Sequence, residues 1–271
     1  MLVQAGGTRF LIDAGLPAET ILRELDRDAT RGLDAILLTH EHDDHLKGAA
    51  GLARATGATL LVNEPTLKAA GTPLAAPGLE IFSSDRSFRV GPVEVTPFAL
   101  PHDAAEPVGF VLVLGNARVA VACDLGEATD TVLEHARGVD LLIIEANYDL
   151  RLLGVSAYPW FLKNRIIGLH GHLSNDGAAR AAVSAASAGT RAICLIHLSE
   201  VNNLAPLARD TVRAALDEEG LSGIRLEVVR PNAGGAWWTV PRTPPDDARM
   251  PAGAASGAAV MSRASAFAGA G

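Results

Sequence analysis

The chain has 271 residues, of which 48 % are apolar and 4 % aromatic, and its formal net charge is −8. This composition predicts one domain of about 240 residues with a core of aliphatic and small side chains. No apolar run is long enough to cross a bilayer and no basic segment precedes an apolar one at the N-terminus, so we expect a cytoplasmic protein without a membrane partner. The acidity excludes a protein whose whole surface attracts nucleic acid, but not one with a local basic patch or bound cations.

The first part of the chain alternates strand and helix patterns. We expect a hairpin over residues 2–14, a helix over 17–27, a strand over 34–39, a helix over 47–56 and a strand over 59–62. The helical stretches repeat apolar residues every three or four positions, whereas the strands are short apolar runs. This order predicts an α/β domain in which the loops after strands carry the functional groups.

The second part begins with a run of strands and ends in a biased segment. A meander is predicted over residues 87–123, where Gly-Pro and Gly-Asn pairs mark the turns. Residues 148–173 are less regular. From Pro241 the composition shifts to Pro, Ala, Gly and Ser, so we expect residues 1–240 to form the domain and residues 241–271 a disordered tail. Helices and strands alternate between these parts, with helices predicted over 129–137, 176–188 and 203–220 and strands over 140–144, 191–196 and 224–229.

The stretch from Thr39 to His45 places three histidines and two aspartates directly after an apolar strand. His40, His42 and His45 cannot share one face of a strand or helix, so the loop must curl to bring them together, with Asp44 beside them. Converging imidazole nitrogens and a carboxylate oxygen describe a site for one or two divalent metal ions. The alternative is a polar surface turn, but histidines seldom cluster this densely by accident.

Three later strands also end on residues of ligand type, namely His102, Asp124 and His197. Taken singly, either histidine would be interpreted as a hydrogen-bonded core residue. Their order changes the interpretation, because His-x-His-x-Asp-His, then His, Asp and His resembles the ligand series of the metallo-β-lactamase superfamily. The resemblance extends from Val3 to Val229.

This resemblance implies a four-layer αββα sandwich with a dinuclear site at one edge of two facing sheets. Two divalent ions, Zn²⁺ or Mn²⁺, would be present, and a water shared between them would become the hydroxide nucleophile near neutral pH. The implied ligands are His40, His42 and His102 for one ion, Asp44, His45 and His197 for the other, and Asp124 as the bridge. Asp13 could accept a hydrogen bond from a metal-bound histidine or have a role in a turn, and Asp43 could cap the next helix or accept from a histidine N–H.

Further motifs resemble the nucleic-acid-cleaving branch of the superfamily. As in ribonuclease Z, a glutamate ends a strand, here Glu145, and a Gly-His element around His172 precedes the last histidine ligand. Other motifs are similar to the YycJ/WalJ group: Pro101-His102-Asp103-Ala104, Glu106-Pro107-Val108-Gly109-Phe110, Cys123-Asp124-Leu125-Gly126, Tyr158-Pro159-Trp160, Gly171-His172-Leu173-Ser174-Asn175 and His197-Leu198-Ser199. The resemblance implies a 5′-to-3′ DNA exonuclease. In that interpretation His172 is the general acid, Glu145 orients it, and Asp44 is also catalytic.

Candidate substrate-binding residues follow the same motifs. Aromatic side chains are interleaved with cations between Tyr158 and Arg165, which suits stacking on bases and contact with phosphates. The alternative is an amphipathic helix that packs its aromatic residues on the core. The candidates are Trp160, Lys163, Arg165, Ser174 and Asn175.

Two other functions are compatible with the same ligand series. A thioester hydrolase of the glyoxalase II type shares the seven ligands but does not need Glu145 and His172, because a thiolate leaves without a proton. A metal-stabilised, non-catalytic binding protein in signalling is the second alternative. The sequence does not indicate the oligomeric state.

Overall fold

The structure, a computed structural model, describes residues 1–26, 32–71, 74–230, 237–240 and 258–261. Within these ranges, fourteen strands form two sheets of seven. The strands are β1 (Leu2–Ala5), β2 (Thr8–Ile12), β3 (Ala35–Leu37), β4 (Thr59–Asn63), β5 (Leu79–Phe82), β6 (Phe88–Val90), β7 (Val93–Ala99), β8 (Val108–Leu114), β9 (Ala117–Ala122), β10 (Leu141–Glu145), β11 (Ala192–Ile196), β12 (Arg225–Val228), β13 (Trp237–Val240) and β14 (Ala258–Met261). The first sheet has the order β13-β14-β1-β2-β3-β4-β5 and the second β12-β11-β10-β9-β8-β7-β6.

Helices cover the outer faces of both sheets. In the described ranges they are α1 (Ala18–Asp26), α2 (Asp43–Leu46), α3 (Ala49–Thr56), α4 (Glu64–Ala70), α5 (Asp130–Ala136), α6 (Leu150–Val155), α7 (Trp160–Ile167), α8 (Asn175–Ser187) and α9 (Ala205–Glu218). The expectation of irregular structure over residues 148–173 is therefore wrong, since α6 and α7 lie there. Their six and eight residues are too short to give a clear helical period in the sequence.

Alternating side chains of the strands divide the core into three layers of contacts. Leu37 of β3 and Ile143 of β10 belong to the cluster between the two sheets, together with Phe10 and Phe110. The preceding residue of each strand points to the opposite face: Ile36 packs with residues of α1, α3 and α4, and Leu142 packs with residues of α5, α8 and α9. This arrangement confirms the predicted αββα sandwich.

The strands that precede the candidate ligands end at a common edge. β2, β3, β4 and β5 run parallel, and so do β9, β10, β11 and β12. β7 has the same direction as β9 because both are antiparallel to β8. The two sheets are tied together at this edge by a hydrogen bond from the Val108 amide to the Thr39 carbonyl (3.1 Å). The carboxyl ends of β3, β7, β9 and β11 therefore meet, as expected for a site in an α/β scaffold.

Strand β14 lies inside the segment that was expected to be disordered. It pairs with β1, where Val3 faces Val260, and with β13, where Trp238 faces the same residue. The expectation of disorder does not hold for the four residues of β14. The rest of residues 241–271 lies outside the described residues, so the division into a domain and a tail stays a prediction. No described helix is both long and apolar enough to span a membrane.

Candidate metal centre

The histidine loop curls because a short helix starts inside it. β3 ends at Leu37, and α2 begins at Asp43 with His42 as its N-terminal cap residue. Asp43 does not cap this helix, because it is the first residue of α2 and the cap position belongs to His42. Its exposed carboxylate lies in the first turn, where a negative charge is favourable. The turn places His40 and His45 in the interior, with ring centroids 4.1 Å apart.

The structure brings six of the seven predicted ligands together in two groups of three, and the seventh, Asp124, lies beside both. In the first, ligand atoms of His40, His42 and His102 lie within 4.8 Å of one another, and Nε2 of His102 is 3.3 Å from Nδ1 of His42. In the second, Asp44, His45 and His197 satisfy the same limit. Nε2 of both histidines lies 3.8 Å from Oδ2 of Asp44.

Asp124 lies between the two groups. Its Oδ2 is 3.8 Å from Nε2 of His40 in the first group and 2.5 Å from Nε2 of His45 in the second. Its Oδ1 is 2.8 Å from Nδ1 of His197. A carboxylate in this position can reach ions in both groups, as the bridging assignment requires.

Buried polar atoms indicate that the centre fits divalent cations. Among the described residues, Nε2 of His40 is inaccessible to solvent and has no hydrogen-bond partner. The two buried oxygens of Asp124 face imidazole nitrogens, Nε2 of His45 at 2.5 Å and Nδ1 of His197 at 2.8 Å. A buried carboxylate surrounded by imidazole nitrogens is a group that a divalent cation stabilises. Imidazole nitrogens combined with carboxylate oxygens suit Zn²⁺ and also admit Mn²⁺.

Hydrogen bonds fix the orientation of three candidate ligands through Nδ1. Nδ1 of His45 is 2.8 Å from Oδ2 of Asp13, Nδ1 of His102 is 2.9 Å from the Gly171 carbonyl, and Nδ1 of His197 is 2.8 Å from Oε1 of Glu145. Asp13 also accepts from the backbone amide and the hydroxyl of Thr39. Such partners typically hold metal-binding histidines in one tautomer and orientation. For Asp13, the structure thus favours the role of histidine acceptor.

Backbone strain is concentrated at this centre. The described residues include three non-glycine residues with positive φ, namely Asp13 (59°), Asp124 (60°) and His197 (56°). All three belong to the centre or contact it. Positive φ is unfavourable for residues with a Cβ, and it persists where surrounding contacts hold a functional group in place.

Local electrostatics divides the histidines into two kinds. Burial lowers the pKa of His40 and of His102, so both are neutral and able to bind a metal. For His45 and His197 burial acts in the same direction, but the adjacent Asp124 carboxylate raises the pKa of each well above its ordinary value. Burial would raise the pKa of Asp124, yet His197 and His45 hold it well below the usual range. Asp124 is therefore the ionised centre of the cluster.

Glu145 and His172 form a pair at the border of the seven ligands. Oε1 of the fully buried Glu145 is 2.8 Å from Nδ1 of His172, while its Oε2 accepts from the amides of Leu125 and Leu173. Burial alone would lower the pKa of His172, but Glu145 and Asp124 raise it to about 10. The His172 side chain is 26 % exposed, and both of its carboxylate contacts use Nδ1. Its Nε2 is therefore the nitrogen available to a substrate.

The candidate substrate-binding residues divide into exposed and structural ones. Trp160 is 73 % exposed, so the alternative in which it packs on the core is wrong. Lys163 donates to the Gly154 carbonyl and Arg165 pairs with Asp103, next to His102. Ser174 caps α8 by accepting from the Gly177 amide.

Asn175, a candidate substrate-binding residue, is buried in this structure and is not exposed to a substrate. Its side chain is 2 % exposed and exchanges hydrogen bonds with the side chain of Asn203, which also donates to the carbonyls of Ala146 and Asn147. The side-chain amide of Asn147 in turn donates to the His197 carbonyl. Sequence reasoning missed Asn147 and Asn203. The only available signal was that Asn147 closely follows Glu145 after the same buried strand.

Comparison with known proteins is consistent with this geometry. The family model described as "Beta-lactamase superfamily domain" matches residues 8–198. The chain is 34 % identical over 218 residues to the exodeoxyribonuclease YycJ of Bacillus anthracis, covering 78 % of this chain and 82 % of the relative. It is also 34 % identical over 229 residues to the exodeoxyribonuclease WalJ of Streptococcus pneumoniae, covering 81 % of this chain and 85 % of the relative. The metallo-β-lactamase fold protein YhfI of Bacillus subtilis superposes with a TM-score of 0.64 at 20 % identity, covering 84 % of this chain and 87 % of YhfI.

Proposed function

The chain belongs to the β-lactamase superfamily as a metal-dependent hydrolase related to YycJ and WalJ, and on this basis we propose that it is a 5′-to-3′ DNA exonuclease. Two of its relatives are named exodeoxyribonucleases, and the chain covers more than four fifths of each. These relatives support DNA as the substrate class, and the geometry of the centre supports the mechanism.

We propose two divalent ions, Zn²⁺ or Mn²⁺, held by the seven side chains at the sheet edge. When bound, such ions lower the pKa of a shared water towards neutrality and neutralise charge on a phosphodiester. The histidines with hydrogen-bonded Nδ1 atoms are oriented before any ion arrives. Asp44 is the ligand with the most accessible carboxylate, at 32 % exposure, and it is ionised because its contacts with His197 and His45 lower its pKa although burial opposes this. Asp44 can therefore accept a hydrogen bond from the attacking water.

The contact between His172 and Glu145 is the observation that carries the proposal. A deoxyribose 3′-oxygen is a poor leaving group, so its departure at neutral pH needs a proton. His172 lies beside Asp124, 3.3 Å from Oδ1, but is not one of the seven ligands, and the Glu145 carboxylate favours its protonated form. Protonated His172 can donate from Nε2 to the leaving oxygen. Glu145 holds the ring in place and stabilises its positive charge.

The thioester hydrolase is the second candidate, and this pair argues against it. A thiolate departs without a proton, so that reaction would leave the buried Glu145 and its contact with His172 without a catalytic role. The seven ligands are common to both functions and do not discriminate between them. The third candidate, a non-catalytic binding protein, is disfavoured by membership in a family of metal-dependent hydrolases.

A substrate panel tests the proposal. The protein, loaded with Zn²⁺ or Mn²⁺, is given linear duplex DNA labelled at either end, a thioester and bis(p-nitrophenyl) phosphate, each with and without chelator. We expect metal-dependent release of nucleotides starting from the 5′ end of the DNA. Thioester hydrolysis without DNA cleavage would overturn the proposal in favour of the second candidate.

A further inference from the structure

The segment that contains α6 and α7 differs in charge from the rest of the chain. Residues 150–175 include no aspartate or glutamate, and no longer stretch without either occurs in a chain whose net charge is −8. The same residues contain three cations, Arg151, Lys163 and Arg165. A segment with cations and without carboxylates, in an acidic protein, suits a site for a polyanion.

This segment also exposes large apolar side chains. Val155 is 84 % exposed, Trp160 73 %, Phe161 72 % and Leu169 64 %. We call these four residues and Arg165 the α6–α7 surface. The inner side of the same helices is well packed, since Leu153 and Ile166 are buried against Tyr148. Trp160 and Phe161 are adjacent exposed aromatic side chains at the start of α7, and such side chains suit binding.

The α6–α7 surface leads directly to the metal centre. Phe161 and Arg165 are one turn apart on the exposed face of α7. Nε of Arg165 is 2.7 Å from Oδ2 of Asp103, whose Oδ1 is 3.4 Å from Nε2 of the ligand His102. At the same end of α7, the amide of His172 donates to the Ile166 carbonyl. A chain bound along α7 would thus arrive beside His172.

We propose that the α6–α7 surface holds the unpaired DNA strand that continues from the scissile phosphodiester, with its bases stacked on Trp160 and Phe161. This inference rests on the proposed function. Base faces are accessible for stacking in a single strand but are covered in a duplex, and stacking tolerates any sequence. The eight residues of α7 span about 12 Å, which is the length of roughly three or four stacked nucleotides. Hence the strand must separate from its complement before it reaches the metal centre.

A second copy of this chain is a weaker candidate for the same surface. A symmetric dimer would place the same patch of both copies together. Residues 150–175 would then meet a copy of themselves that carries cations but no carboxylate, whereas the phosphates of DNA complement such cations. The absence of acidic residues over 150–175 therefore favours the nucleic acid.

The double variant Trp160→Ala/Phe161→Ala tests the inference. Kinetics are measured on a single-stranded oligonucleotide and on bis(p-nitrophenyl) phosphate, which is too small to extend along α7. We expect the ratio of kcat/KM for the oligonucleotide to that for the small diester to fall roughly 10- to 100-fold, mainly through KM. The control Ile81→Ala removes another exposed apolar side chain, 58 % exposed on β5, and should leave the ratio unchanged.

Binding and size measurements separate the possible failures. The affinity for a 5′-labelled oligonucleotide with phosphorothioate linkages, measured by fluorescence anisotropy, should fall by the same factor in the double variant but not in Ile81→Ala. If the wild type degrades DNA and the double variant binds and cleaves it equally well, the inference is overturned and the proposed function stands. A dimer that dissociates in the double variant, with unchanged DNA affinity, would make the surface a contact between copies. A wild type that neither binds nor cleaves DNA would overturn both proposals.

Discussion

His172 Nδ1 lies 2.8 Å from Oε1 of Glu145, a carboxylate that is fully buried and whose other oxygen is occupied by two backbone amides. The same Oε1 is also 2.8 Å from Nδ1 of His197. Glu145 therefore orients both a candidate metal ligand and the candidate general acid. Through this one carboxylate, the position of the proton donor is coupled to that of the metal centre.

Replacing Asp124 should remove metal from both groups of ligands. Asp124→Ala deletes the carboxylate that lies between His40 and His45, so we expect two bound ions in the wild type and fewer than one in the variant, with loss of hydrolysis. Elemental analysis after reconstitution with Zn²⁺ or Mn²⁺ measures this directly. Asp43→Ala is the matched control, because Asp43 is an exposed residue of the same loop. Equal losses in both variants, or one ion in the wild type, would contradict the assignment.

Replacing Asp13 should weaken metal binding without abolishing it. Asp13→Ala removes the acceptor that orients His45, and loss of such a partner typically costs about 10- to 100-fold in metal affinity. Competition with a chromogenic chelator provides the measurement. Asp140→Ala is a suitable control, since Asp140 also accepts a backbone hydrogen bond, from Arg118, but at the opposite end of the strands. If both variants bind metal with the affinity of the wild type, Asp13 has a role only in the turn and does not support metal binding.

The histidine ligands could be predicted from the sequence, and Asp13 and Glu145 could be named as supports, but which histidine each support contacts could not be fully predicted. Each of His40, His102 and His197 closely follows an apolar strand, and this pattern can be recognised from the sequence alone. The contact between Asp13 and His45 joins residues 32 positions apart and depends on a positive φ at Asp13, which no local pattern indicates.

Other errors have similar physical causes. Asn175 was expected to bind substrate because it belongs to a motif that ends beside His172, but its burial depends on packing against Asn203 of a distant loop. The short helices α6 and α7 lack a visible period. Strand β14 lies in a segment of low-complexity composition, where no local pattern predicts a strand, and it pairs with β1 and β13.

Asn203 should prove important for stability. Its side chain donates to the carbonyls of Ala146 and Asn147. Asn203→Ala would remove the donor to the Ala146 carbonyl, whereas the Asn147 carbonyl would keep the Ser199 amide. We expect a loss of roughly 1–3 kcal/mol in the free energy of unfolding. Denaturant unfolding measures this loss. Asn203→Asp, which has nearly the same size but no amide donor, should be destabilised at least as much. A fully stable Asn203→Asp variant would show that donation by this side chain is unimportant.

Glu145→Gln should affect metal binding and DNA hydrolysis together. The substitution removes the charge that Oε1 presents to His172 and His197. We expect weaker binding of the ion held by His197 and slower cleavage of DNA, with a smaller effect on bis(p-nitrophenyl) phosphate once metal is saturating. Titration of activity with metal on both substrates separates the two effects. Identical rates on DNA at saturating metal would exclude an orienting role of Glu145 towards His172.

The most direct test of the account is the selectivity of His172→Ala between two leaving groups. Nitrophenolate departs readily without a proton, whereas a deoxyribose oxygen does not, and general acids contribute about 10²- to 10⁴-fold. We therefore expect kcat on DNA to fall by roughly this factor, while hydrolysis of bis(p-nitrophenyl) phosphate and the metal content stay close to those of the wild type. Equal losses on both substrates, or loss of metal, would contradict the account, because His172 would then be a ligand or a structural residue.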